Sequence, residues 1–206
     1  MAEKADLSKL RIEIAWHDDM WQEIKDSAMF TVHKSTGKYP TTDWKRRMLL
    51  AEHSPTRVGR LIVNVYNIPS FVAGHFVRHN VGFTPFVDSR RDDRADYDEV
   101  PNRNTLINMR FDGNFQTFIN ISRRRFCNSA HKDTIYIWKK IMESVKEFEP
   151  ELHRCCVREC VYRGWCYEYP NGCGYHLTDA YNKELNDYRE DINGWGESYL
   201  WLYKKQ

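Results

Sequence analysis

The stretch from Arg60 to Asn67 reads Arg-Leu-Ile-Val-Asn-Val-Tyr-Asn. Leu61, Val63 and Val65 alternate with Ile62, Asn64 and Tyr66, the period of two that marks a β-strand. Both faces of this strand are partly apolar, so it needs cover from other elements. The segments around it carry helical spacing instead. Asp18 and Asp19 are placed to cap a first helix whose apolar face is Trp21, Ile24, Ala28 and Met29. Gly37 and Pro40 mark residues Ser35 to Thr42 as a loop. Asp43 opens a second helix through Trp44, Met48, Leu49 and Leu50, stopped by Ser54-Pro55. Strands and helices mixed in this way predict an α+β chain.

The pattern continues downstream. Pro69 suits the first turn of a third helix, through Phe71, Val72, Phe76 and Val77 to about His79. Val81 to Val87 reads as a strand, and Ser89 to Asp98 as a polar loop of mixed charge. Gly113 separates an extended stretch from a fourth helix, Asn114 to about Arg125. A fifth helix runs from about Ser129 to Glu149, with Ile137, Ile141, Val145 and Phe148 on one face and Pro150 at its end. At 206 residues the chain is expected to form a single domain, 1–206, with a core of about 10–150. The tail, about 151–206, holds five of the six cysteines and is expected to be irregular.

Composition excludes several classes. Lys plus Arg is 31 against 29 Asp plus Glu, so no strong basic footprint for nucleic acid exists. No apolar run approaches the ~18 residues of a membrane span. Met1 to Trp16 is too charged for a signal-peptide core, and a cytoplasmic chain is expected. The cysteines then read as reduced thiols, and no metal ligand is assigned. Cys173-x-x-His176 with Cys160 or Cys166 is the only zinc-like grouping, and its spacing is not that of paired knuckles. No Cys has a sequence-local base that would mark it as a nucleophile. Neither a G-x-G-x-x-G fingerprint nor a G-x-x-x-x-G-K-[ST] loop occurs.

Two clusters carry polar chemistry. His75, Arg78 and His79 fall three and four apart at the end of the third helix, followed by Ser89, Arg90 and Arg91. Arginine forks and histidine donors suit a phosphate-bearing ligand. The bland alternative is a cation-rich helix end satisfied by its own carbonyls. On the fourth helix Asn114, Phe118, Ile121 and Arg125 share a face, with Asn120 on another. A planar heterocycle with carbonyl oxygens is one partner for such a face. The triple Arg123-Arg124-Arg125 reads either as a solvated face or as an RNA patch.

The run Phe71 to Asn80 resembles the motif region of the flavin-dependent thymidylate synthases (ThyX). That family has Arg-His-Arg, about seven residues, then Ser and an Arg two further on. Here Arg78-His79 matches, Asn80 takes the third place, and Ser89 and Arg91 follow with Asp88 just before. His53 sits where the family has a His in an H-x-T/S-P-type segment. Asn114, Asn120 and Arg125 fall at the spacing of the family's Asn/Arg helix, and Ala130-His131 replaces its Ala-Gln. The resemblance covers about residues 45 to 175.

The resemblance implies a ThyX-like α+β fold with a central antiparallel sheet and flanking helices. It implies a homotetramer with FAD at its subunit interfaces, reduced by NADPH. dUMP would be methylated to dTMP with methylenetetrahydrofolate, without a Cys nucleophile. His53, Arg78, His79, Asn80, Asn114 and Asn120 would contact the cofactors. His75, Asp88, Ser89, Arg90 and Arg91 would bind dUMP, and Arg125 would bind the uracil edge and act in catalysis. Alternatives are a flavin- and folate-dependent pyrimidine hydroxymethylase and a non-catalytic nucleotide- or RNA-binding homologue. Neither a membrane nor a nucleic-acid partner is expected.

Overall fold

The computed structural model describes residues 6–190 except 36, 90–92, 94–101 and 169. A four-stranded antiparallel sheet, in the order β1-β2-β4-β3, is its centre. The strands are β1 (Arg11–His17), β2 (Arg60–Pro69), β3 (Phe83–Val87) and β4 (Leu106–Asn114). The strand read at Arg60 to Asn67 is thus β2, and it lies inside the sheet between β1 and β4, with Val63 opposite Phe111.

Around the sheet are α1 (Trp21–Phe30), α2 (Thr42–Leu50), α3 (Ser70–Phe76), α4 (Phe115–Arg125), α5 (Lys132–Phe148), α6 (Pro150–Cys155) and α7 (Glu159–Arg163). Residues 179–190 form a further helix, α8. The tail therefore contains α6, α7 and α8 joined by irregular stretches.

The two faces of β2 differ more than the sequence pattern implies. Leu61, Val63 and Val65 are buried with Met109 and Phe111 of β4 and with Phe115, Phe118, Trp138 and Ile141 of α4 and α5. Phe118 stacks on Trp138 with ring centroids 6.0 Å apart, and the Trp138 indole donates to Ser122 Oγ at 2.9 Å. A buried indole N–H needs such a partner. The opposite face holds Ile62 and is otherwise polar: Tyr66 OH donates to Glu13 Oε2 at 2.8 Å, Asn64 Nδ2 donates to Tyr66 OH at 3.1 Å, and Arg60 pairs with Asp112. An antiparallel sheet packed on one face and polar on the other is a common solution.

Several element boundaries move. β1 is an addition to the elements read from the sequence, its Ile12, Ile14 and Trp16 alternating along the strand. Thr41, not Asp43, caps α2, its side chain accepting from the Trp44 N–H at 3.2 Å. Asp19 does take the Trp21 N–H, at 3.2 Å, at the start of α1. Pro150 both ends α5 and opens α6. α3 stops at Phe76 rather than near His79, and the His79 N–H turns back onto the Phe76 carbonyl at 2.9 Å. Arg78 and His79 therefore sit in a turn beyond the helix.

That turn runs into β3 through Gly82, at φ +69°, a left-handed conformation that suits glycine. Asn114 locks the junction. Its Oδ1 accepts from the Thr117 N–H at 2.9 Å as the cap of α4, and its own N–H donates to the Gly82 carbonyl at 3.0 Å. Thr117 Oγ1 adds a bond of 2.8 Å to the same carbonyl.

Candidate active site

The turn after α3 and the C-terminal end of α4 meet. Arg125 Nε donates to His79 Nε2 at 3.0 Å, and Arg125 Nη2 donates to the His75 carbonyl oxygen at 2.6 Å. His79 accepts here, so its ring is neutral and carries its proton on Nδ1. Burial, then the Arg125 and Arg124 charges, push its pKa down to about 4. His75 is also held below the ordinary histidine value, by burial first and then by Arg125, Arg78, His131 and Arg103. Its Nδ1 lies 2.8 Å from the hydroxyl of Thr134, a fully buried residue in the first turn of α5. Phe71 meets His75 and His131 edge-on, and the Arg103 guanidinium sits 4.8 Å above the Phe71 ring.

Among the described arginines without an ion pair, Arg125 is set apart by being half-buried. Among the described residues Arg78, Arg103 and Arg125 have no carboxylate within ion-pair distance, whereas Arg46, Arg60, Arg123 and Arg158 each do. Arg125 is half-buried and bonded only to neutral acceptors. Burial and the Arg78 charge lower its pKa. A half-buried guanidinium without a counter-charge is a ready partner for a phosphate or a carbonyl oxygen that gains negative charge.

The other residues singled out from the sequence form separate groups. His53 is exposed beside Glu52, whose backbone is left-handed at φ +51°. Glu52 pairs with Arg123 and accepts from Gln116 Nε2 at 2.5 Å, and Gln116 also donates to Asn120 Oδ1 at 3.2 Å. Asn120 is thereby tied to the Glu52 side of α4, away from the face that holds Arg125. Asp88 closes the end of the β3–β4 pair, with its Oδ2 accepting from the Asn108 N–H at 2.7 Å. Beside it, Asn64, Tyr66, Ser89, Asn108 and Arg110 line a cleft of 470 Å³ on the polar face of the sheet. Ser89 lines this cleft, whereas Arg125 lines a cavity beyond the end of α4. Arg90 and Arg91 lie outside the described residues. Asn80 is exposed next to His79.

Sequence reasoning missed three partners that organise these groups: Thr134 for His75, Glu52 for Arg123, and Phe71 with Arg103. Each joins residues distant in sequence, and no local pattern signals them. The arginine triple is not one basic surface. Arg123 is paired to Glu52 and lies 3.5 Å over the Tyr162 ring, Arg125 faces His79, and only Arg124 of the three is exposed.

A cavity of 420 Å³ beyond the end of α4 is lined by Arg124, Arg125, Cys127, Cys160, Cys166 and Cys173, among others. Burial pushes the Cys160 thiol up to about 11 and the Cys156 thiol to about 12, so both are protonated at neutral pH. Among the described residues no group of three or more His, Cys, Asp or Glu is set to hold a metal ion.

No protein-family model and no curated protein matches the sequence. Solved structures do match the fold. The UMP/dUMP methylase PolB from Streptomyces cacaoi, bound with 5-Br dUMP, aligns with a TM-score of 0.58 at 10% identity, over 74% of this chain and 95% of its own. The flavin-dependent thymidylate synthase ThyX from Helicobacter pylori, complexed with FAD and dUMP, aligns with a TM-score of 0.57 at 10% identity, over 72% of this chain and 100% of its own. The fold is that of the flavin-dependent thymidylate synthases. At 10% identity the likeness is one of fold, and about a quarter of the chain lies outside the shared region. His131, which stands where the ThyX resemblance has Gln, caps α5 by accepting from the Asp133 N–H at 3.3 Å. No described helix is long and apolar enough to cross a membrane.

The neutral His79 gives a pH dependence. Its folded pKa, about 4, lies below the ordinary 6.5, so the unfolded chain binds the proton first as pH falls. The stabilisation is complete above pH 6.5 and is lost as pH drops from there through about 4. His75 acts in the same direction. Denaturant titrations of His79→Gln are expected to show a shallower loss of stability over this window than the parent. Parallel curves would show that His79 is not neutral in the folded chain.

Proposed function

We propose that the chain is a flavin-dependent enzyme that methylates dUMP at C5 to give dTMP. The one-carbon unit comes from methylenetetrahydrofolate, and NADPH is the reductant. The observation that carries this reading is Arg125: a half-buried guanidinium, aimed by His79 and the His75 carbonyl, with no counter-charge. The ThyX-like fold, and the nucleotide bound in both of the solved structures described, support it.

The donor set fits the flavin. Arg78 is exposed and unpaired among the described residues, beside the neutral His79 and the amide of Asn80. His53 and Asn120 offer further polar contacts. When bound, FAD supplies the hydride that completes the methyl group. Arg125 grips the uracil carbonyl edge and stabilises negative charge developing there as C5 becomes nucleophilic. His75 and Ser89 contact dUMP, with Arg90 and Arg91 on its phosphate. No thiol is required, in keeping with the raised pKa values of Cys156 and Cys160. In this reading Ser89, on the sheet-face cleft, and Arg125, on the cavity beyond α4, are supplied by different copies. This is consistent with a homotetramer that binds FAD between subunits.

The test is an absorption spectrum of the protein loaded with FAD, desalted, and titrated with dUMP. Retained flavin whose spectrum shifts with dUMP is expected, and the product mass then separates a methyl from a hydroxymethyl group. A folded protein that retains no flavin would overturn the proposal.

A further inference from the structure

The Thr134 hydroxyl is buried at the start of α5, where a proton without an acceptor is costly. Among the described residues, His75 Nδ1, at 2.8 Å, is the one hydrogen-bond partner of Thr134 Oγ1. A hydroxyl has a single proton and spare lone pairs, whereas a neutral imidazole has one N–H and one bare nitrogen. If Nδ1 carried the ring proton, the Thr134 proton would have no acceptor. If Nδ1 is bare, both requirements are met by one bond.

We propose that Thr134 donates to His75 Nδ1 and so holds this ring as its Nε2–H tautomer, which makes His75 a hydrogen-bond donor toward an oxygen of the nucleotide substrate and Thr134 a positioning residue for that contact. The role toward substrate rests on the function proposed above. The tautomer itself rests only on the geometry.

The surroundings agree. Arg78, Arg103, Arg125 and His131 all face His75 and disfavour a second proton on it. The ring is therefore neutral near pH 7, and its tautomer decides whether it offers a proton or a lone pair. An anionic phosphate or a carbonyl oxygen would be repelled by the lone pair and bound by the N–H. The edge of Phe71, 5.6 Å away between centroids, further restricts the ring. The His75 carbonyl also accepts from Arg125 Nη2, so the last turn of α3 is tied both to α5 and to α4. Thr134 thus fixes a side chain of the turn that aims Arg125.

The experiment uses the full-length protein with ¹⁵N-labelled histidine and no ligand. His75→Gln assigns the His75 signals by difference. A bare Nδ1 and a protonated Nε2 are expected at pH 7. A protonated Nδ1 in the parent would overturn the proposal without any variant. Thr134→Val keeps the shape and removes the donor. It is expected to give a mixture of tautomers and to weaken dUMP binding by about tenfold, the scale of one hydrogen bond to a charged group. Retention of FAD should not change, because Thr134 touches none of the residues assigned to it. Thr134→Ser should restore both the tautomer and the affinity. An unchanged tautomer and affinity in Thr134→Val would also overturn the proposal. If the parent binds no dUMP, the functional reading has failed, and the ligand-free spectrum still decides the tautomer.

Discussion

Arg125→Ala is expected to lower dUMP turnover by about 10²- to 10³-fold, the range seen when a single group that stabilises developing charge is removed. The expectation follows from how the side chain is held. Its Nε–H is spent on His79 and one Nη2–H on the His75 carbonyl, which fixes the plane of the guanidinium and leaves Nη1 for a ligand. Arg125→Lys keeps the charge and loses the fork, so it should recover only a small part of the rate. Flavin retention separates the two roles assigned around this turn. It should survive in Arg125→Ala and fall in Arg78→Ala. Turnover by Arg125→Ala at the parent rate would sink the assignment.

Gly82→Ala is expected to destabilise the fold by about 2–4 kcal/mol, combining a left-handed alanine with a damaged helix cap. For a chain of this size that is a fall in Tm of about 5–15 °C. A Cβ on Gly82 would stand 2.3 Å from Asn114 Nδ2 and 2.7 Å from Thr117 Oγ1. Both side chains are committed to the start of α4 and cannot yield without losing those bonds. Gly174 is the control. It has φ +74° and nothing within 4 Å of the added Cβ, so Gly174→Ala bears the backbone strain alone. Equal Tm losses in the two variants would show that the Asn114–Thr117 junction tolerates the methyl group.

This junction also bears on what Asn114 does. The family resemblance places it among the residues that would contact the cofactors. Its side-chain oxygen is the cap of α4 and its backbone N–H ties down the Gly82 turn, which accounts for an Asn at that position without any ligand. Arg125 is the opposite case. Its side chain reaches across to a different turn, and its bonds there do not neutralise it.

The sequence by itself determined the elements whose signals are local. Alternation at Leu61, Val63 and Val65 marked β2, the four-residue spacing of Ile137, Ile141 and Val145 marked α5, and Gly113-Asn114 marked the passage from strand to α4. Those signals work because a strand and a helix each repeat over a few residues, so neighbours in sequence report on one face. It also supplied the motif residues Arg78, His79 and Arg125 in their order along the chain. Tertiary structure alone decided the rest. α3 ends early because the His79 N–H finds the Phe76 carbonyl, and His79 then meets Arg125, 46 residues away in sequence. Thr134 reaches His75 across 59 residues and Glu52 reaches Arg123 across 71. The three arginines at the end of α4 look alike in sequence and end in three different environments. Charge compensation depends on which groups packing brings within a few ångströms, and no local period carries that information.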